Sequence, residues 1–571
     1  MKTPSSIHVL LQTAACVALL AFPLAAQAAD VIKANNETNL DQTASWSGTV
    51  PGTGDVGVWD DTVTGTNATV LGSDLSWQGL RIGGTTETGT VTIAAGNALT
   101  LGTSGIDLSA APRDLTLNSG IVIGGNQNWN VAADRTLAIN SSPGNLLSGS
   151  ANFTKTGGGV LRTNAPTGSP NDFSGIFTLE AGTWLNFGQF LADSSTAQIV
   201  LKGGTRVENG GAAVSTVTST SNAASVTHLD GNVTFVGTTS TTSSSSRLVF
   251  GGTTGGSAAV NLRADVEVNI ENAPTSGGGG YVSFAGISED TPGRTLTKTG
   301  LGTLQIDGRS LTNNWAGNLI INEGIFKVNS YGELPTNGNV TVNGGTLLLN
   351  TYNNLTLNSL TLTSGAIEQG AAAPTRTLSA SSFVMSAGSV GQILSGTGAM
   401  TKGTGGTVTL SAANTYSGAT TVNAGTLLIQ GAQSGSGLVT VESTGALGGN
   451  GSIAGSLSLL AGADFVFSLT DTFTVNGASV SFGGFSIIDL IGLDSSVALG
   501  TYILINGSAT FDFANVSNFG AANAASIGGG KSAYFQSGSL EVVVVPEPST
   551  LGMIFVAMAA LGILPRKRKR A

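Results

Sequence analysis

The feature that most constrains this chain is a phrase repeated with fixed internal spacing. Residues 401–430 read TKGTGGTVTLSAANTYSGATTVNAGTLLIQ, and related phrases begin at Thr154 and Thr297. Aligned on Lys155, Lys298 and Lys402, the copies vary in the loop before an aromatic residue. From the aromatic onward the spacing is rigid. Phe173, Trp315 and Tyr416 each precede Gly182, Gly324 and Gly425 by nine residues, and Gly175, Gly317 and Gly418 follow each aromatic by two. Thr407–Leu410 alternates polar and apolar residues, the pattern of a half-buried strand, and Asn423-Ala424-Gly425 reads as a turn. One tolerant loop followed by invariant spacing is what stacked strand–turn units require. The aromatic is therefore expected to point inward and set each rung, while the lysines are expected to solvate each repeat.

The phrase resembles the autotransporter-associated β-strand repeat. That resemblance implies an all-β chain forming a right-handed parallel β-helix, as in secreted passenger domains. Copies at 154–187, 297–329 and 401–430 lie in a solenoid expected over 29–460. Phenylalanine concentrates beyond Phe465, so 461–541 is expected to be a compact C-terminal β cap, sandwich-like in character. Composition agrees: 83 glycines, 10% charged residues, and no helical periodicity between the termini. Stacking also lets so long a body avoid an oversized core. At about 4.8 Å per rung and about 20–25 residues per turn, the rod would be on the order of 100 Å long. Trp46, Pro51, Asp55 and Trp59 resemble the opening of such repeat proteins. They are expected to form an apolar cap on the first rung in preference to a sugar-stacking platform. The asparagines of GNQNWN, residues 125–130, are expected to hydrogen-bond between rungs.

Both ends carry targeting features. Residues 1–28 combine Lys2, an apolar run from Val9 to Leu24 and a small-x-small site at Ala26 and Ala28, which reads as a cleaved signal peptide. The lone cysteine, Cys16, falls inside it, so neither disulfides nor thiol chemistry are expected in the remainder. Residues 542–571 contain Pro546-Glu547-Pro548, an apolar run expected to form a transmembrane helix over 551–564, and the basic cluster Arg566, Lys567, Arg568, Lys569 and Arg570. Val542–Val545 could extend the reach of that short run. In this order the three elements resemble the PEP-CTERM sorting signal. The resemblance implies recognition by an exosortase, an inner-membrane intermediate after passage through the secretion translocon, and delivery to the cell surface or matrix of a Gram-negative bacterium.

Catalytic signals are sparse. His228, in VTHLDGN, lies near Asp230 but lacks a nucleophile-elbow motif, and a surface turn is the expected role. Asp60-Asp61 and Glu289-Asp290 are neighbours whose side chains diverge on a strand, unlike a glycosidase pair. Neither a calcium nonapeptide nor a phosphate loop is present in the sequence, and no cofactor or metal is expected. A net charge of −10 and an acidic body with no basic stripe argue against nucleic acid as a partner. The expected function is a non-enzymatic, exported structural or adhesin-like protein acting in adhesion or biofilm. A surface β-helix that binds or degrades extracellular polysaccharide is the second reading.

Overall fold

The computed structural model describes residues 28–140, 147–165, 171–191, 196–211, 215–217, 225–237, 247–251, 259–273, 280–308, 314–371 and 375–547. They form an all-β parallel solenoid of about 18 turns. At about 4.8 Å per turn, the stack is roughly 85 Å long. The short apolar alternations of the sequence become strands of mostly three to six residues. Their inward side chains are buried, and the glycine-rich segments between them make the corners. Helix is confined, among the described residues, to three single turns: Thr43–Ser45, Ile487–Asp489 and Ala521–Asn523.

One face runs unbroken through the molecule. Its ladder starts at Asn67–Thr69, which pairs with Val91–Ile93, and ends where Ser479–Phe482 pairs with Thr510–Asp512. The other faces come and go around it. A first face extends from Ala29–Ile32 to Ile287–Glu289 and then stops. A third begins at Ser215–Thr216 and continues to Leu490–Ile491. Asn339–Thr351, Thr420–Ile429 and Val439–Gly448 are long strands that turn the corner between the continuous face and the third. Every backbone amide in such a ladder finds its carbonyl on the next rung, so the rod has interior faces without sheet edges.

Aromatic rings stack along the core in register with the strands. Phe153 packs on Trp129 at 4.3 Å between centroids and on Phe177 at 4.7 Å, across three successive rungs. At the first rungs Trp46, Trp59 and Trp77 meet edge-on or tilted at 5.4–6.3 Å, all buried, which is the apolar cap expected from Trp46 and Trp59. The chain around Trp46 folds back antiparallel over the first strand, through Ala34 N–H to Ser45 O and Ser47 N–H to Ile32 O, both 2.8 Å.

The C-terminal boundary differs from expectation. Parallel stacking does not stop near 461; it carries on to Asp512, because the phenylalanines that suggested a separate sandwich fill the solenoid interior, as Phe465, Phe473 and Phe482 do. The distinct unit is an antiparallel sheet in which Leu540–Pro546 lies between Gly500–Asn506 and Lys531–Gln536. Val542 and Val544 are buried in that sheet, so these valines belong to the cap and do not lengthen an apolar tail. Among the described residues no helix is long and apolar enough to cross a membrane, and Leu551–Leu564 lies outside them.

Candidate functional site

The three repeat lysines are buried, contrary to the solvated role expected of them. Lys155, Lys298 and Lys402 have no exposed surface. Each lies two residues after an inward apolar residue, Phe153, Leu296 and Met400, and strand alternation carries it inside. What compensates the charge is a set of backbone carbonyls. Lys298 Nζ donates to Thr299 O and Gly300 O, both 2.7 Å, and to Glu323 O on the next rung at 3.2 Å. Lys155 repeats this with Thr156 O, Gly157 O and Ala181 O, and Lys402 with Thr404 O and Ala424 O. Each ammonium thus clasps its own turn to the turn stacked above it. Lys33, which the repeat pattern does not include, is likewise buried and donates to Ala34 O, Asn36 O and Asn36 Oδ1, all on its own turn.

Burial pushes Lys298 down to about 7 from its ordinary 10.5, with Glu323 drawing it partly back, and pushes Lys33 and Lys155 down to about 8. Lys402 is lowered in the same direction by the same cause. The folded chain therefore releases these protons before the unfolded chain does. Between about pH 7 and 10.5 the unfolded state binds more protons, so stability rises with pH across that window. The urea midpoint of the full chain is expected to rise from pH 7 to 9.5, with a smaller rise in Lys298→Met. A midpoint that falls, or a rise unchanged in the variant, would contradict this.

The fixed glycines follow from the same stacking. Gly182, Gly324 and Gly425 take left-handed φ of 78°, 61° and 67°. A Cβ on Gly324 would come within 2.5 Å of Gly300 O, the carbonyl that Lys298 holds. At Gly175, Gly317 and Gly418 a Cβ would come within 2.3, 1.8 and 2.2 Å of the carbonyl oxygens of Ala151, Arg294 and Gly398 one rung below, so no side chain fits there. Phe173, Trp315 and Tyr416 are buried inward as expected. Phe173 packs edge-on against Phe153, the Trp315 indole N–H donates to Arg294 O, and the Tyr416 hydroxyl pairs with Thr420 at 2.9 Å.

The copies do not share one orientation. Lys155 lies on the first face, whereas Lys298 and Lys402 lie on the continuous face, so the repeat has moved by one face between residues 187 and 297. A family model matches the two copies that share an orientation. The Passenger-associated-transport-repeat model covers residues 296–328 and 400–429. Two segments of this chain are thus similar to a passenger-associated transport repeat. No curated protein matches the chain, and no solved structure does. In these repeats the fixed lysine, aromatic and glycine positions build the rung.

The remaining sequence candidates are structural as well. His228 is buried in the strand Thr227–Asp230 and does not sit on a surface turn. Its ring lies 3.3 Å from Gln198 Oε1 and Asn261 Oδ1 in a ladder across three rungs, and burial lowers its basicity. Asp230 is turned to Lys202 at 2.8 Å. Glu289 accepts the amides of Gly293, Arg294 and Ala316, while Asp290 pairs with Arg294. Asp60 caps Thr62, and Asp61 caps Thr85 and Thr86 on the next rung. In GNQNWN, Asn126 Oδ1 accepts the Asn152 amide, and Asn152 Oδ1 accepts that of Ile176, so asparagines do link rungs. Among the described residues no three His, Cys, Asp or Glu side chains gather as a metal site.

The outward-facing candidate lies in two turns outside the repeat motifs. Residues 331–337 and 352–356, one rung apart, enclose a cleft of about 370 Å³. Glu333, Thr336, Asn337, Asn353, Asn354 and Thr356 line it over an apolar floor of Leu334 and Leu355. Tyr331 and Tyr352 open the two turns, with rings 5.7 Å apart and tilted by 54°, and are 59% and 46% exposed. Ser330 and Asn337, which bracket the first turn, both hold left-handed φ, 52° and 55°.

At the termini, Ala28 is the first described residue and Ala26 lies before it. Pro546 ends the last cap strand. The Glu547 amide donates to Gly530 O at 2.8 Å, and its carboxylate accepts the Ser526 hydroxyl. Pro548 and the basic residues Arg566–Arg570 lie outside the described residues.

Proposed function

We propose that this chain is an exported, non-enzymatic rod of the Gram-negative cell surface or extracellular matrix, structural or adhesin-like in role. The observation that carries this reading is the unbroken parallel ladder from Asn67 to Asp512, in which two rungs match the transport-repeat family. The buried polar groups support it: carboxylates, His228 and the lysines are spent on holding rungs together. A long, uniform lateral surface suits many weak contacts acting together, since linked sites raise the effective concentration of one another.

For its address we propose sorting by an exosortase through Pro546-Glu547-Pro548 and the basic tail, after export through the secretion translocon. The docking of Glu547 on Gly530 and Ser526 favours this, because it starts the motif at the outer edge of a folded cap. Changing Pro546, Glu547 and Pro548 together to alanine is expected to leave a tagged protein uncleaved in the inner-membrane fraction. The unaltered protein is expected in the surface or medium fraction. Equal release of both would refute the sorting proposal.

A further inference from the structure

We infer that the cleft beside Tyr331 and Tyr352 is a binding subsite for a neutral polysaccharide. Three independent observations converge there. The first is the ring pair. A large aromatic surface exposed to water stands out here, because among the described residues the other aromatic side chains are buried, as Phe153, Phe173, Trp184 and Tyr416 are, or half-buried, as Phe187 and Phe513 are. The two tyrosines stand on consecutive rungs, as the pairing of Ser330 with Thr351 sets them, at about the spacing of adjacent pyranose rings. Aromatic faces bind the C–H faces of sugars, and the phenolic hydroxyls keep such a platform wetted when empty.

The second observation is the polar lining. Amide, hydroxyl and carboxylate side chains from both turns converge on one cleft, the donor and acceptor mixture that vicinal sugar hydroxyls satisfy. Lysine and arginine are missing from its wall, where a sulfated, phosphorylated or uronic polymer would call for them. At about 370 Å³ the cleft falls in the range of small-ligand sites, and its floor of Leu334 and Leu355 gives the apolar base such sites have.

The third is backbone strain. Among the described residues, left-handed φ in a residue other than glycine occurs at Ser330, Asn337 and Asn518, and two of these three bracket this one turn. Such a conformation in a non-glycine residue persists where the surrounding structure enforces it, which is frequent at ligand clamps. Backbone hydrogen bonds hold the two turns in place: Tyr352 N–H to Ser330 O at 2.6 Å, Gly332 N–H to Asn329 O at 2.7 Å, and Thr336 N–H to Trp315 O at 2.9 Å.

The test is affinity electrophoresis of the full-length protein through gels cast with single polysaccharides. Neutral glucan, mannan, xylan and galactan are compared with heparin and alginate. Retardation is expected in at least one neutral gel and in neither charged one. Tyr331→Ala/Tyr352→Ala is expected to lose at least tenfold in apparent affinity, with Asn353→Ala intermediate. Tyr331→Phe/Tyr352→Phe should stay within about threefold, since stacking survives. A Leu301→Ala control, altering another exposed side chain, should migrate as the unaltered protein does. The melting temperature of each variant separates lost binding from lost fold. No retardation in any neutral gel, retardation by the charged polymers alone, or equal retardation of the folded double alanine variant would each overturn the inference. Because this assay uses purified protein, its failure leaves the surface-rod proposal standing, and mislocalised protein would leave this inference untouched.

Discussion

Gly317→Val is expected to divide the cooperative unfolding of the rod into two transitions. Arg294 O, which a Cβ at Gly317 would meet at 1.8 Å, already accepts the Asn318 amide at 3.0 Å and the Trp315 indole at 3.1 Å. A side chain at 317 has nowhere to go except through that carbonyl, so both hydrogen bonds and the rung spacing must give. The local cost is on the order of 3 kcal/mol or more, since neither partner is a movable side-chain end. In a globular core such damage would lower one melting temperature. In a solenoid each rung touches only its neighbours, so a weakened junction uncouples what lies on either side. Calorimetry should show two resolved peaks, or a broadened transition with a van't Hoff enthalpy well below the calorimetric one. One sharp peak at the original temperature would reject the claim.

The second large effect is expected at Lys298. Lys298→Ala removes three hydrogen bonds, leaves the carbonyls of Thr299, Gly300 and Glu323 buried without the ammonium, and opens a cavity where the stem lay. Orphaned polar groups and lost packing together make about 3–5 kcal/mol the expected loss. Lys298→Met keeps the stem and gives up the hydrogen bonds, so about 1–3 kcal/mol is expected. Amide hydrogen exchange localises the result: protection should fall at 296–306 and 318–328 before it falls near Lys155. Uniform protection across all three clasps, or a methionine variant as unstable as the alanine one, would show that the ammonium does not bind the rungs.

The spacing from Trp315 to Gly324 was readable because steric exclusion leaves a mark: a position where a Cβ cannot exist is glycine in every copy. The burial of Phe173, Trp315 and Tyr416 followed from the same logic. Lys298 was misread because a buried lysine is rare in general, and residue type weighed more than position. The signal was nonetheless present, as Leu296 and Lys298 share one strand phase, and the turn beyond them has carbonyls needing donors. His228 was placed outside for a similar reason, although its strand phase with Gln198 and Asn261 appears only once rungs of unequal length are set in register. The cleft beside Tyr331 was beyond reach of the sequence. Its two walls are unremarkable turns whose juxtaposition depends on Ser330 pairing with Thr351.

The antiparallel segments at the two ends have a consequence for size. An open parallel ladder would template another copy, and its fibres would lengthen with protein concentration. Here the fold-back at Trp46 covers one end, and at the other the solenoid gives way to antiparallel strands around Leu540–Pro546. Each antiparallel segment removes one parallel edge on which a second copy could be templated. The reach of one molecule is set by its number of rungs, and duplicating a rung would lengthen it by about 4.8 Å.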